Sequence, residues 1–197
     1  MPNVDDLRYV RTEGAIRTAF MELVAEGPVA SITVSDLCRR AGISRNAFYL
    51  HHAGATELFA ALVNELVEDV RAESLESAER RTATGRDDDF SSCIMNALAR
   101  HETLLRALLP ADDGSLAKCL IEGIGDSFAE AGARFGEHGA GMEHRLRCAF
   151  SAGAIVAFVH RWIAETDRPL SEARAQFEEL AAGVADVSAR HLLDGTR

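Results

Sequence analysis

The stretch that decides the fold of this chain is SITVSDLCRRAGISRNAFYLHH, residues 31–52. Thr33 is placed to cap a helix, and Asp36, three residues later, can reach back to it in a short variant of the capping box. Gly42 can adopt the left-handed conformation that ends a helix, and Ser44 is placed to cap the next one. The stretch therefore predicts two short helices joined by a tight turn.

The second helix of this pair has an inner face with Ala47 and Phe48 and an outer face rich in hydrogen-bond donors. No acid occurs between Arg39 and His52, whereas a surface selected only for solubility normally mixes charges of both signs. The alternative is a pair of short helices that packs within an all-helical protein and binds nothing. The composition favours a helix-turn-helix whose second helix enters the major groove of DNA. The outer residues are Arg45, Asn46, Tyr49, Leu50 and His51.

Charge is distributed unevenly along the chain. The whole chain carries a formal net charge of −10, yet residues 1–52 hold six arginines and six acids and are neutral overall. The acidic remainder argues against binding a polyanion along the whole surface. A neutral head with a local basic face predicts contact with DNA at one end only, with specificity that depends on few contacts doubled by dimerisation.

Length and composition fit a small head joined to a larger body, since 197 residues with 47% hydrophobic content supply ample core. No run of about 18 apolar residues occurs, so no membrane-spanning helix is expected. The N-terminus is acidic and lacks the apolar stretch of a signal peptide. The four cysteines are widely spaced without a Cys-x-x-Cys pair, which favours reduced, buried thiols in a cytoplasmic protein.

Catalytic and metal-binding motifs are missing from the sequence. It contains no Gly-x-Ser-x-Gly, His-Glu-x-x-His, phosphate-binding loop or Gly-x-Gly-x-x-Gly. The adjacent His51 and His52 would project about 100° apart on a helix and make a poor chelate. We therefore expect no enzyme, no cofactor and no metal, with an enzyme kept as the weaker alternative. Four residues of a glycine-rich segment are more typical of a solvated turn: Glu137, His138, Glu143 and His144.

The rest of the chain shows helical periodicity and no strand-like alternation. The expected fold class is all-α with about nine helices: a three-helix helix-turn-helix head over residues 1–54, and a helical ligand-binding and dimerisation body over 55–197. Within that body a long fourth helix runs to about Arg81 and a later helix has an interruption near His101. The other boundaries are a first helix ending at Gly27–Pro28 and helices over about 90–109, 115–135, 142–165 and from Ser171 onward.

The last two helices carry a second pattern. Apolar residues of the final helix recur at three-four spacing and form a narrow seam, and the small residues 151–154 on the preceding helix allow close approach. Since a helix-turn-helix usually works in pairs on a two-fold site, we expect half of a four-helix interface between two subunits. The alternative is that both stripes pack within their own chain. The predicted interface residues are Gly153, Trp162, Phe177, Leu180, Val184 and Val187.

Three segments of the head and one at the start of the fourth helix carry a resemblance: Ile32–Leu37, Ala41–Ser44, Phe48–His51 and Thr56–Phe59. In type and spacing they resemble the TetR (tetracycline-repressor) family of one-component transcriptional regulators, specifically over residues 8–70. The resemblance implies an all-helical homodimer, a ligand pocket in each body, and release from DNA when a ligand spreads the two heads. It also implies a cytoplasmic protein on palindromic double-stranded DNA, away from any membrane.

The sequence departs from the family pattern at two positions. His52 stands where the family usually has an aromatic residue, and Ala55 stands where it usually has a lysine, so one phosphate contact is lost. By resemblance and by face, Arg45, Asn46 and Leu50 lie nearest the bases, while phosphate contacts fix register rather than sequence. The predicted DNA-binding residues are Thr33, Ser44, Arg45, Asn46, Tyr49, Leu50 and His51, with Thr33 and Tyr49 on phosphates.

An inducible repressor also needs a cavity whose filling tilts the fourth helix. The predicted walls are apolar with few polar anchors, which favours a hydrophobic or weakly polar small molecule that the sequence leaves unidentified. The alternatives are a packed core at the same residues, and a helical dimerising adaptor or a regulator without a small-molecule ligand. The predicted pocket residues are Leu66, Val70, Met95, Leu98, Leu120, Ile124, Phe128, Arg145, Phe150 and Phe158.

Overall fold

The computed structural model describes residues 7–84, 90–111, 114–135 and 141–180. Within these ranges the chain forms nine α-helices and no strand, so the predicted all-α class is confirmed. The head contains α1 (Leu7–Glu26), α2 (Val34–Ala41) and α3 (Arg45–Tyr49). The body contains α4 (Ala55–Thr84), α5 (Phe90–Arg100), α6 (Glu102–Leu108), α7 (Ser115–Phe135), α8 (Met142–Glu165) and α9, described over residues 173–180.

The helices of the head begin and end where the sequence predicts. The Oγ1 atom of Thr33 accepts the backbone N–H of Asp36 at 3.2 Å, and the Asp36 carboxylate reaches back to Thr33, which completes the capping box. Gly42 ends α2 with a φ of 67°, the left-handed conformation that favours glycine. The Oγ atom of Ser44 accepts the backbone N–H of Ala47 at 3.1 Å and so caps α3.

Helix α4 joins the head to the body. It buries Leu58, Leu62, Leu66 and Val70 at intervals of four residues, and it packs against α5 and α7. A glycine allows the close approach to α7, because a Cβ atom at Gly123 would lie 2.8 Å from a methyl group of Val67 on α4. Side chains of the head and of the body belong to one continuous hydrophobic core.

Helix α8 has one face inside the chain and one outside. Cys148, Ala152 and Val156 are buried, and α8 lies against α7. By length and composition α8 could cross a membrane, a test that the core helix of a soluble protein also passes. Its exposed face carries large apolar side chains that we call the α8 stripe: Met142 (70% exposed), Leu146 (63%) and Phe150 (71%).

Two residues of α8 exchange their predicted roles. Trp162, predicted at the subunit interface, is buried in its own chain, where its indole Nε1 donates to the carbonyl oxygen of Arg168 at 3.1 Å. Phe150, predicted in the interior pocket, points outward instead. The predictions for both residues are therefore wrong about the face, because α8 is apolar on much of its circumference and helical periodicity alone cannot orient it.

Candidate nucleic-acid interface

The exposed side of α3 is built over one buried anchor. Phe48 is fully buried, and its ring lies edge-on to the ring of Tyr49 with centroids 5.7 Å apart. Tyr49 is 55% exposed and Leu50 is 68% exposed. We call the following exposed set the DNA-reading face: Ser44, Arg45, Asn46, Tyr49 and Leu50.

Arg45 is the arginine of this face whose charge has no acidic partner among the described residues. Its guanidinium donates instead to the hydroxyl of Ser35 on α2. Two arginines nearby are paired: Arg39 with Asp36 at 2.6 Å, and Arg40 with two glutamates of α1 at 2.7 and 3.1 Å. A hydroxyl orients a guanidinium without neutralising it, so Arg45 keeps its full charge for an anionic ligand or for guanine, its commonest specific partner.

Thr33 and Ser44 are exposed, as predicted, but their hydroxyls already cap helices. The Thr33 hydroxyl also donates to Asp36 Oδ2 at 2.5 Å. This hydrogen bond is the largest cause that holds the pKa of the Asp36 carboxyl below its ordinary value. Both hydroxyls therefore fix the geometry of the DNA-reading face, whatever they contact beyond the chain.

The expectation that His51 lies on the outer face is wrong. Its side chain is only 4% exposed, and its ring stacks on Tyr9 of α1 with centroids 3.9 Å apart. Its Nδ1 lies 2.9 Å from Oε2 of Glu13, also on α1. The contact spans 38 residues of sequence, so no local pattern could place it.

His52, which stands where the family usually has an aromatic residue, is buried like one. Its ring lies 6.0 Å from that of Phe48, and its Nε2 lies 3.0 Å from the same oxygen of Glu13. No motif in the sequence singles out Glu13. The one local signal was its spacing of four from Arg17, with which it forms an ion pair at 2.7 Å.

Most residues of the predicted ligand pocket are buried in the core. Seven of its residues are 0–6% exposed and belong to the core cluster: Leu66, Val70, Met95, Leu98, Leu120, Ile124 and Phe128. Phe158 is partly buried and packs on that core. Arg145 is exposed and lines an open cleft of about 540 Å³ between α7 and α8. Its assignment to an interior wall is therefore wrong, as it is for Phe150.

The predicted subunit interface is described only in part. Phe177 packs edge-on against Phe158 at 5.2 Å, and Leu180 is 52% exposed. A Cβ atom at Gly153 would meet open space. Val184 and Val187 lie outside the described residues. Within the described residues of α9, Phe177 therefore packs on the core of its own chain and Leu180 is exposed.

Comparison with known proteins gives the head a match by sequence. Residues 16–62 match the family model described as bacterial regulatory proteins, tetR family. A relative from Bacillus subtilis (strain 168), the uncharacterized HTH-type transcriptional regulator YxbF, is 41% identical over 59 residues. That match covers 29% of this chain and 16% of the length of the relative, so the likeness is confined to one segment of each protein.

Comparison with solved structures extends the likeness to the whole fold. The dihydroxyacetone kinase operon activator DhaS has a TM-score of 0.54 and 18% sequence identity, over 89% of this chain and 97% of that chain. The TetR-family repressor AlkX from Dietzia sp., implicated in biodegradation of n-alkanes, has a TM-score of 0.48 and 19% identity, over 88% of this chain and 97% of that one. At such identity the match to DhaS indicates a shared fold.

Proposed function

We propose that this chain, which belongs to the tetR family of bacterial regulatory proteins, represses transcription from a palindromic operator. It is a helix-turn-helix regulator and not an enzyme. The observation that carries the proposal is the DNA-reading face, where the capped α3 buries Phe48 and exposes Arg45, a charged residue with no acidic partner in the ranges that the structure describes. We place the protein in the cytoplasm, where it meets DNA.

Arg45 and Asn46 supply the direct base contacts in this proposal. A guanidinium can donate two hydrogen bonds to guanine and a side-chain amide can pair with adenine, whereas the Leu50 side chain suits the methyl group of thymine. Tyr49 and Thr33 contact phosphates and set the register. The pairing of Arg39 and Arg40 with acids limits the non-specific attraction to the backbone, which suits a chain of net charge −10.

We propose that two copies associate through the α8 stripe and α9. Three large side chains at 63–71% exposure, spaced by four residues, make an apolar strip along one side of α8. Such a strip is typical of a surface that another protein covers. A second copy fits best, because a helix-turn-helix on a two-fold operator needs a two-fold partner and an isologous contact supplies one. Gly153, three residues after Phe150, has open space where a Cβ atom would lie and so allows close approach of another helix.

Release by a hydrophobic or weakly polar small molecule remains part of the proposal. A ligand releases DNA only if it binds the DNA-free form more tightly. In this proposal the ligand binds among the buried core residues of the predicted walls, and the DNA-free form is the one that leaves room for it. The burial of these residues in one core cluster is equally consistent with the second candidate, a dimeric regulator without a small-molecule ligand.

In vitro selection tests the DNA-binding function directly. The full chain is offered a pool of random-sequence duplexes, and the retained sequences are read after several rounds. We expect an inverted repeat with half-sites about one helical turn apart. Arg45→Ala combined with Asn46→Ala should abolish the enrichment, while Asn96→Ala on the exposed side of α5 should not. Enrichment by the double variant equal to that of the parent chain would refute the assignment of α3.

Thermal shift separates the two candidates for regulation. A library of apolar small molecules is screened on the chain with and without the selected duplex. A compound that stabilises the free chain and weakens binding of the duplex supports ligand-gated release. If no compound does both, the body acts as a dimerisation module and the second candidate holds.

A further inference from the structure

One carboxylate of α1 holds the residues that follow α3. The Oε2 atom of Glu13 lies 2.9 Å from Nδ1 of His51 and 3.0 Å from Nε2 of His52. Its Oε1 atom accepts a hydrogen bond from Nε of Arg17 at 2.7 Å. Burial alone would raise the pKa of Glu13, but hydrogen bonds and charges from Arg17 and His52 lower it overall. The carboxylate is therefore ionised and accepts from both imidazoles, which fixes the ring nitrogen that carries each proton.

The two imidazoles tie α3 to α1 through this carboxylate. The backbone N–H groups of His51 and His52 both donate to the carbonyl oxygen of Phe48, at 2.9 and 3.0 Å, so these residues continue the last turn of α3. Their side chains are 4% and 9% exposed. Hydrogen bonds to an ionised, partly buried group are stronger and more directional than those on an open surface. The position of Glu13 thus sets the angle of the C-terminal end of α3.

Arg17 extends the cluster to α4. Its Nη1 and Nη2 atoms donate to the two carboxylate oxygens of Glu65 at 2.7 and 2.5 Å, while its Nε remains on Glu13. A guanidinium is the side chain that can span two carboxylates in this way, because its donors form a rigid planar fork. Two successive ion pairs therefore connect α4 with Glu13, the carboxylate that both imidazoles contact.

The same face of α4 is also tied to the body. Asp69, four residues after Glu65, accepts the Nε2 of His101 at 2.8 Å, and Glu73 accepts Arg100 at 2.9 Å. Since His101 and Arg100 lie where α5 meets α6, one row of acids on α4 connects the head at one end and the body at the other. A shift of α4 along this row would pull on Arg17.

We propose that Glu13 is a positioning residue for the DNA-reading face, and that Arg17 and Glu65 link its position to α4. This inference depends on the proposed DNA-binding function, since it assigns a role in orienting α3. When α4 moves relative to α1, the bidentate pair shifts Arg17, Arg17 shifts the Glu13 carboxylate, and the two imidazoles turn the end of α3. Glu13 itself contacts no DNA.

The test uses three substitutions that each replace a carboxylate by an amide of the same size. Glu13→Gln removes the shared acceptor, and Glu65→Gln removes the link to α4 without touching either imidazole. Glu68→Gln is the matched control on α4, because Glu68 pairs with Arg71 at 3.2 Å and has no contact with the cluster. Thermal unfolding of each variant identifies a temperature at which all of them are folded.

Two readouts are compared at that temperature in the full chain. The first is the pair of imidazole ¹H–¹³C signals of His51 and His52, recorded without DNA and assigned with His51→Gln and His52→Gln. The second is affinity for the selected duplex. We expect Glu13→Gln to weaken binding about tenfold and Glu65→Gln about threefold, the size of one charged hydrogen bond lost fully or in part. Glu65→Gln should also move both imidazole signals, and Glu68→Gln should change neither readout.

The outcomes separate this inference from the proposed function. Imidazole signals that stay in place in Glu65→Gln would overturn the link to α4, even if the parent chain binds its duplex well. If the imidazole signals move in Glu13→Gln or Glu65→Gln while the affinity for the selected duplex stays equal to that of the parent chain, the positioning role of Glu13 is overturned. If the parent chain selects no duplex, the DNA-binding function fails, and the imidazole signals alone decide whether α4 is coupled to α3.

Discussion

The head and helix α8 both carry apolar patterns in the sequence, but the structure follows those patterns along α3 and not along α8. In the head, Phe48 is fully buried and Tyr49, the next residue, is 55% exposed, as expected. In α8, Phe150 and Trp162 occupy the opposite faces from those expected. The periodicity of apolar residues is a helical one in both regions, so it cannot explain the difference.

The difference lies in what closes each helix. Helices α2 and α3 have eight and five residues, and Thr33, Gly42 and Ser44 fix their ends by side-chain caps and a left-handed turn. With both ends of α2 fixed and the start of α3 capped, few rotations of α3 are left. Helix α8 is 24 residues long, and its first residue follows Gly141, which makes no side-chain cap. Short helices between specific turns are thus easier to orient from sequence than long apolar ones.

Trp162→Ala tests whether Trp162 is a core residue of its own chain, and it has the largest expected effect. Because Trp162 is 6% exposed and holds Arg168 by a hydrogen bond, the substitution should lower the free energy of unfolding by about 3–5 kcal/mol. Urea denaturation measures this loss at several protein concentrations. If Trp162→Ala lowers the free energy of unfolding of the dimer but not that of the monomer, Trp162 contributes to the subunit interface instead.

Phe150→Arg tests whether the exposed face of α8 is a subunit interface. Phe150 is 71% exposed within one chain, so the substitution should leave the unfolding of a monomer unchanged. Across a two-fold interface it should weaken association by at least about 2 kcal/mol, the cost typical of a central anchor residue. Light scattering should then detect monomers. Asn96→Arg on the exposed side of α5 is the control, and a Phe150→Arg chain that stays dimeric would move the interface elsewhere.

Much of the fold could be predicted, because the helix boundaries of the head have local causes. The capping box at Thr33 and the left-handed turn at Gly42 both depend on residues within four positions of each other. The role of His51 could not be predicted, because it depends on a carboxylate 38 residues away. Helical periodicity predicts that the His51 side chain lies on the same outer face as Arg45. Instead, the ring stacks on Tyr9 and contacts Glu13, both on α1.

Within the head, Arg45→Ala and Arg39→Ala should differ. Arg45 has no acidic partner among the described residues, so its loss should cost about 1–3 kcal/mol per half-site and relax base preference. Arg39 is paired with Asp36 at 2.6 Å, so its loss should weaken all duplexes alike and by less. Fluorescence anisotropy on the selected duplex and on single-base variants measures both effects. Equal loss of base preference in the two variants would contradict the assignment of Arg45.

The smallest expected effect is a pH dependence of stability that Glu65, which is paired with Arg17 of the head, should cause and Glu143 of α8 should not. Hydrogen bonds and charge from Arg17 hold the pKa of Glu65 below its ordinary value, so the unfolded chain binds this proton more tightly than the folded one. The stabilisation is complete above about pH 5, beyond the ordinary pKa of glutamate, and is lost as pH falls through the folded pKa. Thermal unfolding should therefore show the parent chain more stable than Glu65→Gln at pH 7, with the gap closing below about pH 4. Glu143→Gln in α8 is the control, because Glu143 meets Arg147 only at 3.4 Å on an open surface, and its gap should be close to zero throughout. If the difference in stability between the parent chain and Glu65→Gln stays constant down to pH 3, the ion pair between Glu65 and Arg17 does not stabilise the head.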